Sequence, residues 1–468
     1  MKKAASENSV KKGTVLIVAA VGSFLTPFMG SSVNIALPSI QNEFGIDAIL
    51  LSWIQTAYLL SSAVFLVPIG RLSDIYGRKK TFAWGMLLFT AATLLSGLSS
   101  SAAMLIAARI AQGAGSAMIF ATGLAIISSV FSPGERGRAI GVNVAAVYIG
   151  LSLGPVLGGL LTQHWGWRSV FLVIAPLGLA TAALIFWKLK GEWAEARGEK
   201  FDIAGSIIYG LALVSIMYGV SLLPSVKGLG LIFFGATGFM VFIIWELRVQ
   251  SPVFDVNLFR ENRVFAFSNL AALINYSATF GVTFLLSLFL QFIKGLSPQS
   301  AGLILVTQPI VMAIFSPLAG RMSDRVEPRL VASAGMVLTS LGLFVFIFLG
   351  EHTSPGFIVG NLALIGLGFA LFSSPNTNAI MSCVEKRYLG VAAGAVSTMR
   401  LVGQMVSMGV ATLIFALVIG RVQITPEYYP RFLLSVRAAF VVFSLLCLAG
   451  VFASLTRGRM PTDTIKSP

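Results

Sequence analysis

Charge is scarce in this chain. Of its 468 residues 33 are Lys or Arg and 18 are Asp or Glu, so 11% carry charge, where a soluble domain carries roughly 25%. So few charges cannot cover the surface of a water-soluble protein of this size, and the 56% hydrophobic content excludes disorder as well. Cysteine is rarer still. Cys383 and Cys447 both sit in apolar runs, supply no disulfide framework, and read as lipid- or core-facing fillers. The motifs of energy-driven or metal-dependent chemistry are missing too. There is no G-x-x-x-x-G-K-[ST] phosphate loop, no H-E-x-x-H and no C-x-x-C, so neither ATP hydrolysis nor a metal centre is expected, and no cofactor. The longest polar stretch, Lys188 to Asp202, is too short for a soluble signalling or docking domain. An intramembrane enzyme would need a cluster of acid, base or metal-ligating side chains within the apolar runs, and none is there.

What remains is a membrane protein, with a mean hydropathy of +0.87. Its apolar residues come in long unbroken runs rather than in the ten-residue alternation of a barrel, so the spans are helices. A window of about 19 residues finds fourteen candidates, the first centred near Ser23, the last near Leu445. The first follows Lys2, Lys3, Lys11 and Lys12 but continues past Gly30 without a small-residue cleavage site, and is read as a retained span. The net charge of +15 does not point to nucleic acid, because the cations lie in short clusters between apolar runs. With fourteen spans, 25 of the 33 basic residues fall on one side, six on the other, and Arg109 and Arg400 inside spans. That bias places both termini in the cytoplasm of a multi-pass cell-membrane protein, the inner membrane where there are two.

The chain repeats itself. Gly70-Arg-Leu-Ser-Asp74-Ile-Tyr-Gly77-Arg78-Lys-Lys80 follows the second span, and Gly320-Arg-Met-Ser-Asp324 follows the tenth, 250 residues later. Glu135 with Gly141 and Glu385 with Gly390 give the same offset to within one residue. Two agreeing offsets at matching topological positions are poorly explained by chance. They imply an N-terminal six-helix bundle in residues 1–190, a linker and inserted helix pair in 191–260, and a C-terminal six-helix bundle in 261–468. In transporters built from such repeats the binding site lies at the midplane between the halves.

With these features the chain resembles the major facilitator superfamily, and within it the fourteen-helix drug:proton antiporters of the QacA/EmrB type, over nearly its whole length. Gly70 to Lys80 is similar to the superfamily loop motif G-x-L-x-D-x-x-G-R-K-x. Arg109-x-x-Gln112-Gly113-x-Gly115 is similar to the fourth-helix motif, and Gly150-x-x-x-Gly154-Pro155-x-x-Gly158-Gly159 to the fifth-helix antiporter motif. Ser251 to Phe259 resembles a string of the fourteen-helix branch. The resemblance implies an all-α major facilitator fold and export by alternating access. The residues have their own physics beside it. Gly70 is expected to end a helix in the left-handed conformation, with Asp74 capping the next helix and facing Arg78. That loop is either topogenic charge or a latch between halves. Gly150, Gly154 and Gly158 form one stripe for close backbone approach, and Pro155 bends the helix, either for packing or for gating together with Gly70, Asp74, Gly77, Arg78, Gly320 and Asp324.

One position departs from the pattern. The resemblance implies a first-helix carboxylate, where this chain has Met29, in Phe28-Met29-Gly30-Ser31-Ser32-Val33-Asn34. All 18 acids fall near span ends or in connections, with Asp202 and Glu246 closest to the membrane interior, so proton coupling has no obvious seat. The two membrane arginines gain weight accordingly, each costing about 2.5–3.5 kcal/mol near a helix centre. Arg109 either snorkels outward or, like Arg400, meets amides, cavity water or an anionic ligand. Further cavity residues are expected among Asn34, Trp53, Gln55, Tyr58, Gln112, Asn143, Tyr148, Asn275, Tyr276, Gln308, Asn376 and Gln404, unless they serve only interhelical hydrogen bonding. Two functions follow, neither enzymatic. One is export of small amphipathic compounds, with protons as a possible second partner. The other is carriage of an organic anion by Arg109 and Arg400. Either works in a single chain within the bilayer, so a monomer is expected.

Overall fold

A computed structural model describes residues 12–323, 325–384 and 389–458. All regular structure among them is helical. The helices run α1 Lys12–Phe44, α2 Ala48–Tyr76, α3 Arg78–Gly97, α4 Ala102–Val130, α5 Pro133–Trp165, α6 Arg168–Leu172, α7 Ala175–Lys188, α8 Ile203–Ser221 and α9 Val226–Glu246. They continue as α10 Val256–Glu261, α11 Arg263–Leu288, α12 Pro298–Leu305, α13 Thr307–Ser323, α14 Pro328–Val345, α15 Pro355–Ser382, α16 Leu389–Val418 and α17 Tyr429–Thr456. Small polar side chains open many of them: Asp47, Ser101, Ser225, Asn262, Ser297 and Ser354 each accept a backbone N–H of the first turn.

Among the described residues thirteen spans are long and apolar enough to cross a membrane, α6 with α7 and α12 with α13 each making one. The segment around Leu88 is α3, which is not among the thirteen. It opens on Arg78, Lys79 and Lys80 and carries four hydroxyl residues. It nevertheless packs along α4 within the same bundle, and its 20 residues reach about 30 Å.

Helices α1 to α7 pack with one another, as do α11 to α17. The two groups repeat each other in detail: Ser73 Oγ donates to the Gly70 carbonyl and Ser323 Oγ to the Gly320 carbonyl, both at 2.7 Å. Helices α8 and α9 pair mainly with each other, but α8 also touches α2 and α16, one from each half. Tyr209 of α8 donates to the Ala63 carbonyl of α2, and Met217 covers Gly409 of α16. The inserted pair therefore leans on the seam between the halves, leaving α9 apolar and exposed at Phe233, Phe234 and Met240.

The halves meet directly on the face opposite the basic loops. Gln41 Nε2 reaches the Ile424 carbonyl at 3.1 Å, the Ala48 N–H the Val422 carbonyl at 3.0 Å, and Ser52 pairs with Thr412 at 2.9 Å. Ser287 Oγ donates to the Asn34 carbonyl at 2.7 Å and Gln291 Nε2 to that of Ile35 at 3.1 Å. Backbones touch where Gly159 of α5 lies on Pro298 and Gly302 of α12 on Pro155.

Candidate functional site

Between the halves lies a cavity of about 1550 Å³ that runs from mid-depth to the basic-loop face, where Gly70, Arg71, Asp74, Arg78, Arg136 and Glu195 line its mouth. The wall is mostly apolar and aromatic, with Phe120, Phe280, Phe369 and Met312 among its residues, the composition of an adaptable ligand pocket. Of the polar residues singled out in the sequence, Asn34, Tyr58, Asn143, Tyr148, Tyr276, Gln308, Arg400 and Gln404 line it. Ser316 Oγ donates to Tyr148 Oη at 3.3 Å, linking α13 to α5 across the cavity.

Arg400 is the charge at depth. It sits eleven residues into α16, roughly 17 Å along the helix. Its guanidinium carbon lies 5.8 Å from the Tyr276 ring centroid and 5.9 Å from that of Phe120, a cation–π setting. Among the described residues it makes no ion pair. Asn275, one residue before Tyr276, is fully buried with neither amide atom hydrogen-bonded.

Arg109 does something else. It is fully buried inside the N-terminal bundle and neither snorkels outward nor faces the cavity. Its Nε donates to the Ile54 carbonyl at 3.1 Å, Nη2 to Gln55 Oε1 at 3.2 Å, and Nη1 to Gln112 Oε1. Gln112 passes on to Thr93 at 2.7 Å and Gln55 to the Gly30 carbonyl at 3.1 Å. The Tyr58 ring lies 4.2 Å beneath the guanidinium. The network ties α1 to α4 together, so Arg109, Gln55 and Gln112 are packing residues here. Met29 is likewise fully buried and off the cavity wall. Trp53 packs edge-on against Tyr218 of α8 in a separate hollow of about 360 Å³. Asn376 holds the C-terminal bundle, donating to the Ser268 carbonyl and accepting from Arg457.

The loop motif differs from its expected form. Gly70 lies inside α2 rather than ending it, and the left-handed turn is made by Gly77, at φ +121°. Asp74 also lies inside α2 and does not cap α3. Its carboxylate accepts from Arg78 Nε at 2.8 Å. The cap comes from the linker after α7: Glu192 accepts the N–H groups of Lys79 and Lys80. Glu195 takes both Nη groups of Arg78, at 2.7 and 3.0 Å, and Arg71 pairs with Glu199. The Arg78 guanidinium holds the Glu195 carboxyl below the usual carboxylate range, and burial opposes this only in part. The motif is thus strapped to the linker of its own half. Asp324, its counterpart in the repeat, lies outside the described residues.

In the fifth-helix motif Gly150, Gly154 and Gly158 pack on α1 of the same half, against Phe24, Ser31 and Ser32. Pro155 and Gly159 of the motif face the other half. Sequence reasoning missed Gly302, Glu192 and Glu195. The three linker acids at spacing three and four were a visible signal; nothing marked Gly302.

The geometry has relatives. The model of the Major Facilitator Superfamily matches residues 19–268 and again 268–468. Over 401 residues the chain is 34% identical to the Multidrug resistance protein Stp of Mycobacterium tuberculosis, covering 84% of this chain and 74% of that one. It is 30% identical to the Riboflavin transporter RibZ of Clostridioides difficile, covering 83% and 85%. Among solved structures, a bacterial homologue of the human lysosomal transporter Spinster, inward-facing and unoccupied, superposes with a TM-score of 0.70 over 96% of this chain and 99% of that one, at 15% identity. A double family match and a cavity between two packed halves agree: this chain belongs to the major facilitator superfamily, as a multi-pass membrane transporter.

Proposed function

We propose that the chain is a secondary exporter of small amphipathic compounds that works by alternating access. Its halves, residues 1–190 and 261–468, rock about the cavity, and residues 191–260 supply the inserted pair. On this reading α3 is the fourteenth span, as in the QacA/EmrB branch, and the basic loops and both termini are cytoplasmic. One chain suffices. The observation that carries it is a large apolar cavity among the described residues, open toward the basic loops and closed opposite by backbone-to-backbone contact. The relatives support small-molecule transport in general: one is named for drug resistance and another for riboflavin.

A specific observation favours a second reading, in which the cargo carries an anionic group. Arg400 presents a positive charge at depth between two aromatic rings, with no carboxylate among the described residues to meet it, while Arg109 is already enclosed by amides. An aromatic or amphipathic anion would satisfy Arg400. The test is transport by purified protein in liposomes, with a lipophilic cation and a hydrophobic anion as probes, with and without an imposed pH gradient. Cation movement driven by the gradient supports proton-coupled drug export. Anion movement indifferent to the gradient supports the second reading. Movement of neither refutes both.

A further inference from the structure

The inserted pair carries two acids that the cavity does not use. Asp202 caps α8 and Glu246 ends α9, and they are 8% and 1% exposed. Asp202 Oδ1 accepts the Gly205 N–H at 2.9 Å, and its Oδ2 accepts the Trp245 indole N–H at 2.9 Å. Glu246 Oε2 accepts the Phe254 N–H at 2.9 Å. Glu246 Oε1 is buried without a partner. A methyl group built on Gly205 would lie no more than 2.5 Å from both Asp202 Oδ2 and Glu246 Oε1, which puts those two oxygens within about 5 Å of each other.

Cations do not resolve this pairing. The elements around it carry Arg71 on α2, paired with Glu199, and Arg400 on α16, in the cavity wall. Arg197 and Lys200 in the linker and Arg248 after α9 are exposed. Asp255 caps α10. Among the described residues no cation forms an ion pair with Asp202 or Glu246. Two carboxylates so close, out of water and without a counter-ion, are not both charged.

We propose that Asp202 and Glu246 form a proton-binding site, in which one proton on Glu246 Oε1 is donated toward Asp202 Oδ2. The proton completes the only unmet hydrogen-bonding atom of the pair. The pair is linked to the cavity through the backbone: Phe254, held by the other oxygen of Glu246, belongs to the 252–255 segment that lines the mouth. Loss of the proton sets a second negative charge beside Asp202 and strains the seam where α8 leans on both halves.

Infrared difference spectroscopy on the full chain in lipid nanodiscs, titrated across neutral pH, tests this. The site predicts a protonated-carboxyl stretch at pH 7 that is lost in Glu246→Gln and moves to lower pH in Asp202→Asn. Gln keeps the acceptor for the Phe254 N–H and offers a donor toward Asp202, so Glu246→Gln also keeps the thermal midpoint of the parent at pH 7. A band that survives Glu246→Gln, the absence of any such band at pH 7, or a Glu246→Gln chain that does not fold would each overturn the proposal.

Discussion

Glycines 159 and 150 offer the same perturbation with opposite consequences. A Cβ at Gly159 would lie 2.5 Å from the Pro298 carbonyl oxygen, and one at Gly150 would lie 2.5 Å from that of Phe24. Each is about 0.9 Å short of ordinary van der Waals contact, and each opposing atom is backbone. Overpacking of this kind costs typically about 1–3 kcal/mol. Pro298 belongs to the other half, so Gly159→Ala is penalised only while the face opposite the basic loops is closed. An energy of that size shifts a two-state equilibrium by about 5- to 150-fold, here toward opening on that face. Phe24 belongs to the same half as Gly150, so Gly150→Ala weakens the N-terminal bundle in both states and shifts nothing between them. Pulsed spin-label distances between His164 and Lys294, which flank the seam, read the equilibrium directly. The expected outcome is a longer-distance population for Gly159→Ala, and for Gly150→Ala an unchanged distribution with a lower thermal midpoint. An unchanged distribution in Gly159→Ala, or an equal shift in both, would refute the reasoning.

The remaining expectations concern charge. Arg400→Gln should lower uptake of a hydrophobic anion into liposomes by at least about tenfold, the loss of one charge-assisted hydrogen bond of about 1.5–3 kcal/mol, while a lipophilic cation moves as well or better. Arg109→Lys should lower thermal stability by about 2–4 kcal/mol, because a point donor cannot span the Gln55–Gln112 fork; ligand binding measured on the folded fraction stays as in the parent. Glu195 lies below the ordinary carboxylate value of about 4.3 when bound to Arg78. Its support for the strap is therefore complete above that ordinary value and is lost as pH falls through the lowered one. The mobility of a spin label attached through Arg197→Cys should rise only in that acid window, and Glu195→Gln should show the raised mobility at every pH.

The membrane made much of the fold legible. Spans need about 20 apolar residues, so the all-helical membrane fold could be read directly, as could the Asp74–Arg78 pair four residues apart. Arg400 was placed at depth by its position in a span. What stayed hidden were contacts between elements distant in the chain. Glu195 and Arg78 are 117 residues apart, and an acidic linker reads as a solvated one until its partner is known. The glycine motif shows the same limit: the stripe of Gly150, Gly154 and Gly158 announces a close neighbour without naming it. Gly159, one residue further, is turned about 100° around the helix and meets the other half.

The two membrane arginines show why sequence grouped residues that the fold separates. Both carry a buried cost of about 2.5–3.5 kcal/mol on insertion scales, and neither has an acid within its span. Arg109 meets that cost with three hydrogen bonds and an aromatic face, all from its own bundle. Position 29 adjoins the same network, since Gly30 accepts from the Gln55 amide, and a methionine there brings no charge to it. The hydrogen-bonding capacity of Arg109 is engaged before any ligand arrives. Among the described residues Arg400 has two ring faces near 6 Å and no ion pair, and its donors are left to cavity water or cargo. On the reading in which the cargo carries an anionic group, that anion gains at Arg400 what it cannot gain at Arg109.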